Sequence, residues 1–385
     1  MYKIATLNKI SPVGLNKFTA DYEVVSDVMV SDGALVRSMD MHEMELPESF
    51  LAVARAGAGV NNIPLDKMAD NGIVAFNTPG ANANAVKELV IGSMLGAFRN
   101  IAAGIAWAST LTEDIAKATE KGKGQFAGHE IKGKTLGVVG LGAIGAMVAN
   151  AALDLGMNVV GSDPYLSVKA ALSLKPGVQV LESMEQVVAA ADVITIHVPA
   201  MPSTNGMFNA DVLAKVKPGA IVLNFSRDKL VDEVAMLKAL EEGHVAKYVS
   251  DFPNDVVLGK PGVICTPHLG ASTEESEENC AAMAATEIMD YLENGNIVNS
   301  VNFPMVNLGA LTAGTRVLVL AKGVEDLAAK FTAAVADLKV GVVNQKSGVR
   351  GAVSAVLADV TGAVDAEALK AALGEGVVRV RVLSK

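Results

Sequence analysis

Cysteine is scarce: Cys265 and Cys280 are the only two in 385 residues. Their separation has no metal-ligand spacing, so no metal site is expected, and both read as core thiols of a reducing compartment. An excess of basic charge is also missing, since 32 Lys and Arg stand against 42 Asp and Glu, a formal net charge of −10. That balance argues against nucleic-acid binding, which needs clustered cations on a phosphate backbone. Long uncharged apolar runs are absent too. The most apolar segment, Ala85 to Thr112, is interrupted by Lys87, Glu88 and Arg99, so a buried helix is expected there and no membrane span. The opening residues MYKIATLNKISP contain no apolar signal region, and a cytoplasmic location is the expectation. Aromatic residues make up only 4%, whereas hydrophobic residues reach 51%, mostly Ala and Val. This suits buried strands packed against small-residue helices, and the length allows two or three domains.

Glycine is plentiful, and three of the 36 fall at GxGxxG spacing in LGVVGLGAIG: Gly140, Gly142 and Gly145. With so many glycines the spacing alone is weak. Its context is stronger, because an apolar strand (Leu136 to Val139) precedes the turn and a helix (Ala143 to Leu155) follows it. Strand, tight turn and helix N-terminus together aim backbone N–H groups and a positive dipole end at a pyrophosphate. The next strand, MNVVGSD, ends on Asp163, 18 residues after Gly145. A carboxylate there accepts hydrogen bonds from both adenosine ribose hydroxyls and repels a 2′-phosphate, which selects NAD. The bland alternative is a turn aspartate before Pro164.

The middle of the chain alternates strand and helix: TLGVVG, MNVVGSD, DVITIHVP, AIVLNFS, AKYVSDFP and VICTPH are strand candidates. A doubly wound parallel sheet of Rossmann type is expected, with its ligand at the carboxyl ends of the strands. Residues 1–110 carry the shorter runs YKIATL, GALVRS and FLAVARAGAG, a smaller α/β unit. After a helix from Glu274 to Glu293, the stretch NGNIVNSVNFPMVNLG reads as a linker. The last 70 residues then follow a βαββαβ order, from TRVLVLA to VVRVRVL. The expected domains are 1–99 with 285–307, 100–284, and 315–385.

Chemistry should sit at the strand ends. His197 closes VITIHVP and His268 follows VICTP, and either one could serve as an acid/base or as a structural residue. Arg227, in VLNFSRDKLVDE, is a cation at the same rim whose planar fork suits a carboxylate. Asp251 and Asp255, in VSDFPND, offer two carboxylates, either of which could pair with a histidine.

These residues resemble the NAD-dependent D-2-hydroxyacid dehydrogenases. RAGAGVNNI, FNTPGANANAVKELV, GKTLGVVGLGAIG, VITIHVPAMPST, VLNFSRDKLVDE and TPHLGAST each look like a family signature, in the expected order. The resemblance implies a flavodoxin-like substrate domain beside the Rossmann domain. It makes Arg227 the substrate-binding arginine and His268 the acid/base. The family's third catalytic position, a Glu in DVFxxEP, falls on Asp255, one methylene shorter, with Asp251 as the alternative partner. Cofactor contacts are implied for Gly140, Gly142, Ala143, Ile144, Gly145, Asp163, His197, Val198, Pro199, Thr204, Asn224, Ser226, Asp251 and Gly270. Substrate contacts are implied for Arg37, Arg55, Ala56, Gly57, Ala58, Gly59 and Asn82, with Arg37 on a phosphate and the 55–59 N–H groups on a carboxylate.

The branch most resembled oxidises 3-phospho-D-glycerate with NAD to 3-phosphooxypyruvate, the first step toward L-serine. A reductase of hydroxypyruvate or glyoxylate is the nearer alternative, and a non-catalytic NAD-binding regulator the remote one. The C-terminal segment resembles an ACT domain, which implies an amino-acid effector. It carries Gly323, Val324, Glu325 and Asp326 where serine-binding versions have Asn-Val-Pro-Gly. A homodimer or homotetramer is expected, with edge pairing through VVRVRVL or TRVLVLA.

Overall fold

The computed structural model describes residues 1–385, which divide into two compact units, Ala83–Thr273 and Met1–Asn82 with Glu274–Lys385. The divisions thus fall at 82/83 and 273/274, and the C-terminal segment counts with the first residues.

In the unit Ala83–Thr273 seven strands form one sheet, in the order Val263–Cys265, Val245–Ser250, Ala220–Asn224, Val193–Ile196, Thr135–Val139, Asn158–Ser162, Val178–Val180. Every pairing is parallel. The inner strands Val193–Ile196 and Ala220–Asn224 are buried throughout, as unbroken apolar runs must be when helices cover both faces. One face packs Val187, Ile194, Phe208, Val222 and Met236; the other packs Val90, Met94, Leu136, Val148 and Leu223. From Thr135–Val139 the order runs outward to one side, then returns to Val193–Ile196 on the other. That reversal is the switch point where such sheets bind ligands. Val178–Val180 was not among the expected strands, because three residues on a half-exposed edge show no readable pattern.

The single buried helix expected over 85–112 is corrected. Ala83–Phe98 is buried on one side, but Asn100 adopts a left-handed backbone (φ 52°) and ends the run. The following helix, Ile101–Ala108, is bent away by 66° and has no buried residue. No single helix is long and apolar enough to cross a membrane. Cys280 is buried, while Cys265 is only partly so, and both are free thiols.

In the other unit five parallel strands take the order Tyr22–Val25, Tyr2–Thr6, Gly33–Val36, Ala52–Arg55, Val74–Phe76, the flavodoxin-like order. The helix Glu274–Asn294 lays Ala281, Ala284, Ala285, Ile288 and Leu292 into the same core as Ile4, Leu35, Ala54 and Phe76. The Asn-rich stretch after it is not the expected linker. Ile297 and Phe303 are fully buried, and Asn302 continues the pairing of Val74–Phe76: its Oδ1 accepts the Ala75 N–H at 2.9 Å and its Nδ2 donates to the Ile73 carbonyl at 2.9 Å. Asparagine side chains mimic backbone groups, so a polar composition here marks a sheet edge.

The C-terminal strands Val342–Arg350, Val353–Val360, Thr315–Lys322 and Val377–Ser384 form an antiparallel sheet in that order, with helices Leu327–Asp337 and Ala366–Leu373 on one face. Strand alternation decides the packing. Val317, Val319 and Ala321 meet these helices, whereas Leu318 and Leu320 join the core of Ile4 and Ile288. Arg316, 2% exposed, fastens the junction: it pairs with Asp359 at 2.6 Å and donates to the carbonyls of Asn294 and Gly309 at 3.0 and 2.6 Å. TRVLVLA is therefore a central strand with both edges occupied, and the edge pairing expected of it is excluded. VVRVRVL does lie at an edge.

Candidate active site

Three glycines after Thr135–Val139 have three different surroundings. A Cβ on Gly140 (φ 92°) would lie 2.5 Å from the His197 carbonyl oxygen, and one on Gly145 would lie 1.9 Å from the Gly140 carbonyl oxygen. Gly140 makes the tight turn and Gly145 lets the helix close on the strand. A Cβ on Gly142 would meet nothing. Gly142 is also the N-cap of helix Ala143–Asp154, with no side-chain cap. The N–H groups of Ala143 and Ile144 belong to the helix's first turn, which has no internal acceptors. An open, uncapped, positive helix end is what a dinucleotide pyrophosphate fits.

Asp163 stands beside this turn. Its Oδ2 accepts the Leu141 N–H at 3.0 Å and its Oδ1 the Tyr165 N–H at 2.8 Å. The turn-forming role and the ribose-binding role are compatible, because each carboxylate oxygen keeps acceptor capacity. In the loop after Val193–Ile196, Val198 packs against the glycine turn. Thr204 folds that loop back, donating to the Pro199 carbonyl at 2.7 Å and accepting the Met201 N–H at 2.9 Å.

The two histidines now separate. The His197 Nε2 lies 2.9 Å from the Thr195 hydroxyl, and its Nδ1 is buried without a partner. Burial pushes its pKa down to about 3, so it is neutral near pH 7 and unsuited to exchanging protons there. His268 is exposed and sits in a left-handed conformation (φ 56°), with its ring edge-on to Phe252 at 4.9 Å.

Asp251, 1% exposed, holds the loop on both sides of His268. It accepts the Thr266 hydroxyl at 2.5 Å, the Leu269 N–H at 2.8 Å and the Gly270 N–H at 2.7 Å. The His268 N–H donates to the Asp251 carbonyl at 3.0 Å. A buried carboxylate with three donors is satisfied, so Asp251 serves the loop's backbone and not the imidazole. Asp255 is exposed, and no hydrogen bond or ion pair joins it to His268. Its neighbour Asn254 anchors the segment by donating to both oxygens of Glu233 at 2.9 and 3.1 Å.

Arg227 follows Ala220–Asn224 in a turn built by two polar side chains. Buried Asn224 accepts the Ser226 N–H at 3.1 Å and donates to the Arg227 carbonyl at 2.8 Å, while the Ser226 hydroxyl donates to the Ile196 carbonyl at 2.8 Å. The backbone is locked and the guanidinium is left exposed, bonded only to the Ser226 carbonyl at 2.5 Å.

The other unit carries its own cations at strand ends. Arg55 Nε donates to the Arg37 carbonyl at 2.8 Å, and Arg37 Nη2 pairs with Glu277 at 2.5 Å. In the 55–59 loop the N–H groups of Ala56 and Gly57 are engaged, the first by the Val36 carbonyl and the second by the Thr78 hydroxyl at 2.9 Å. Those of Ala58 and Gly59 have no protein acceptor. Asn77 Nδ2 donates to the Ala58 carbonyl at 2.6 Å, and the Asn82 Oδ1 is buried and unpaired. Thr78, Thr266, Glu233 and Glu277 were missed by sequence reasoning, since their contacts come from segments distant along the chain.

Residues 91–270 match the D-isomer specific 2-hydroxyacid dehydrogenase, NAD binding domain. The chain is 34% identical over 372 residues to the D-3-phosphoglycerate dehydrogenase of Mycobacterium tuberculosis, covering 91% of this chain and 68% of that protein. It is 35% identical over 320 residues to the D-3-phosphoglycerate dehydrogenase of Methanocaldococcus jannaschii, covering 80% of this chain; it spans 59% of that relative's length. The solved structure of NAD+-bound 3-phosphoglycerate dehydrogenase from Entamoeba histolytica is 26% identical, with a TM-score of 0.62 over 79% of this chain and 99% of that one. The chain belongs to the D-2-hydroxyacid dehydrogenase family, alongside these D-3-phosphoglycerate dehydrogenases.

Proposed function

We propose that the protein oxidises 3-phospho-D-glycerate to 3-phosphooxypyruvate with NAD, the first step toward L-serine. The observation that carries this reading is the loop held by Asp251, which presents His268 on the same unit as the glycine cradle and the locked, exposed Arg227. Gly140, Gly142, Gly145, the first turn of Ala143–Asp154 and Asp163 would hold NAD, which when bound would supply the acceptor for the hydride leaving C2. The family resemblance assigns the C1 carboxylate to Arg227 and to the N–H groups of Ala58 and Gly59, and the phosphate to Arg37. His268 accepts the hydroxyl proton as the C2–O bond becomes a carbonyl. Asp255, at the family's third catalytic position, is the residue that would stabilise the charged imidazolium. The named activities of the relatives agree with this assignment.

The domains divide the work as 100–284 for the cofactor, 1–99 with 285–307 for the substrate, and 315–385 for assembly or an amino-acid effector. The protein acts as a cytoplasmic homodimer or homotetramer. The test is NADH absorbance at alkaline pH with purified protein, NAD and 3-phosphoglycerate, in parallel with D-glycerate and lactate, with and without L-serine. Turnover confined to the phosphorylated acid is expected. Preference for an unphosphorylated acid would move the assignment to another member of the family.

A further inference from the structure

Arg37 is mounted more firmly than a solvated strand-end arginine needs to be. The consecutive N–H groups of Arg37, Ser38 and Met39 converge on Asn8 Oδ1 at 2.9, 2.9 and 3.0 Å. The Arg37 carbonyl takes the Arg55 Nε, so the two arginines are coupled through the main chain. Its guanidinium is then drawn to one side by Glu277, in the first turn of the helix Glu274–Asn294. At Cys280, one turn further on, burial pushes the thiol pKa up, opposed first by hydrogen bonds with Thr78 and Ser276 and then by the charges of Arg37 and Arg55. The Arg37 guanidinium therefore lies against the first turn of that helix, and the proposed function leaves Glu277 without a role.

Resting on the reading that Arg37 takes the substrate phosphate, we propose that Glu277 is a positioning residue that sets the preference for a phosphorylated acid. Both partners of the pair are 44% exposed. An ion pair at that exposure is weak and exchangeable. Glu277 meets the guanidinium through one nitrogen, Nη2, and an arginine has five N–H donors in a fixed fork. The pair holds the flexible stem in one orientation, so that ordering no longer falls on substrate binding. A single carboxylate gains nothing by displacing another carboxylate. A phosphate dianion offers more charge and a bidentate face, and can share or take the fork. The ion pair therefore discriminates by charge.

The experiment is steady-state kinetics on the full chain at saturating NAD, with 3-phosphoglycerate as substrate and D-glycerate as substrate or competitive inhibitor, for Glu277→Gln, Glu277→Asp and Arg37→Ala. Glu277→Gln should raise KM for 3-phosphoglycerate about three- to five-fold, the scale of an exposed ion pair, with kcat and the D-glycerate constant changed by less than about two-fold. Glu277→Asp should recover part of that loss. Arg37→Ala should raise the same KM by about ten-fold or more. An unchanged or lowered KM in Glu277→Gln, beside a raised one in Arg37→Ala, would leave the phosphate reading standing and overturn the role of Glu277. Equal losses for both acids would make Glu277 a structural residue only. A silent Arg37→Ala would remove the phosphate reading and this proposal with it.

Discussion

The loops after Thr135–Val139 and after Ala52–Arg55 each lie at the carboxyl end of a parallel strand, and they are built in opposite ways. The first is stripped of side chains: Gly142 faces open space and the helix behind it has no cap. The second spends two of its own N–H groups on the Val36 carbonyl and the Thr78 hydroxyl and lies beside a pair of arginines. A pyrophosphate buried along a backbone is held by fixed dipoles, which need no side-chain ordering. A small acid recognised by its charge is better served by guanidinium groups whose pairing is exchangeable. Fixed dipoles in one loop and exchangeable cations in the other suit a dinucleotide whose pyrophosphate is the same in its oxidised and reduced forms and a small acid recognised by its charge.

The largest expected effect separates the reacting group from both cradles. His268→Asn, which keeps a residue tolerant of the left-handed backbone, should lower kcat/KM by at least ~100-fold while NADH affinity measured by fluorescence is kept. Retention of most of the activity would exclude His268 as the base. The glycine pair comes next and tests whether the first cradle is main chain alone. Gly145→Ala drives a methyl into the Gly140 carbonyl and should cost about 1–3 kcal/mol in denaturant unfolding. Gly142→Ala should stay within about 0.5 kcal/mol of the parent yet bind NAD more weakly. Equal stability losses at both positions would show that Gly142 serves packing instead.

The smallest effect contrasts the two units through one buried titratable group in each. His197 is held neutral by burial, down to about 3 from 6.5. Its contribution is therefore complete above about pH 6.5 and is lost as pH falls toward 3. Burial pushes Glu287 up to about 8 from 4.5, with Asn299 donating to one oxygen at 2.7 Å and the other oxygen unpaired. Its contribution is complete below about pH 4.5 and is lost as pH rises through about 8. His197→Gln should flatten the acid arm of the thermal midpoint against pH, and Glu287→Gln the alkaline arm, by up to ~1 kcal/mol per pH unit. Arms as steep as the parent's in both variants would mean that other groups control them.

Much of the fold was legible because its signals are local. Apolar runs such as AIVLNF and VITI can only be buried strands between helix layers, and the GxGxxG turn with Asp163 carries its own geometry. The short strands Tyr22–Val25, Val74–Phe76 and Val178–Val180 gave too few residues for a period to register. The Asn-rich segment 294–309 hid its burial because asparagine looks the same in a loop and at a sheet edge that it completes.

By itself, then, the sequence determined the alternation of strands and helices, the nucleotide cradle and the set of candidate groups, since each depends on neighbours within a turn or a strand. Strand-end position alone left His197 equivalent to His268 and Asp251 to Asp255, and the family resemblance chose His268 and Asp255. The tertiary structure decided the surroundings of these groups: it desolvates one imidazole, exposes the other, and meets the Asp251 carboxylate with three donors from the 266–270 loop. The mounting of Arg37 by Asn8 and Glu277 was decided in the same way, by two segments far apart along the chain. Burial and partner identity are long-range properties, and no spacing along the chain encodes them.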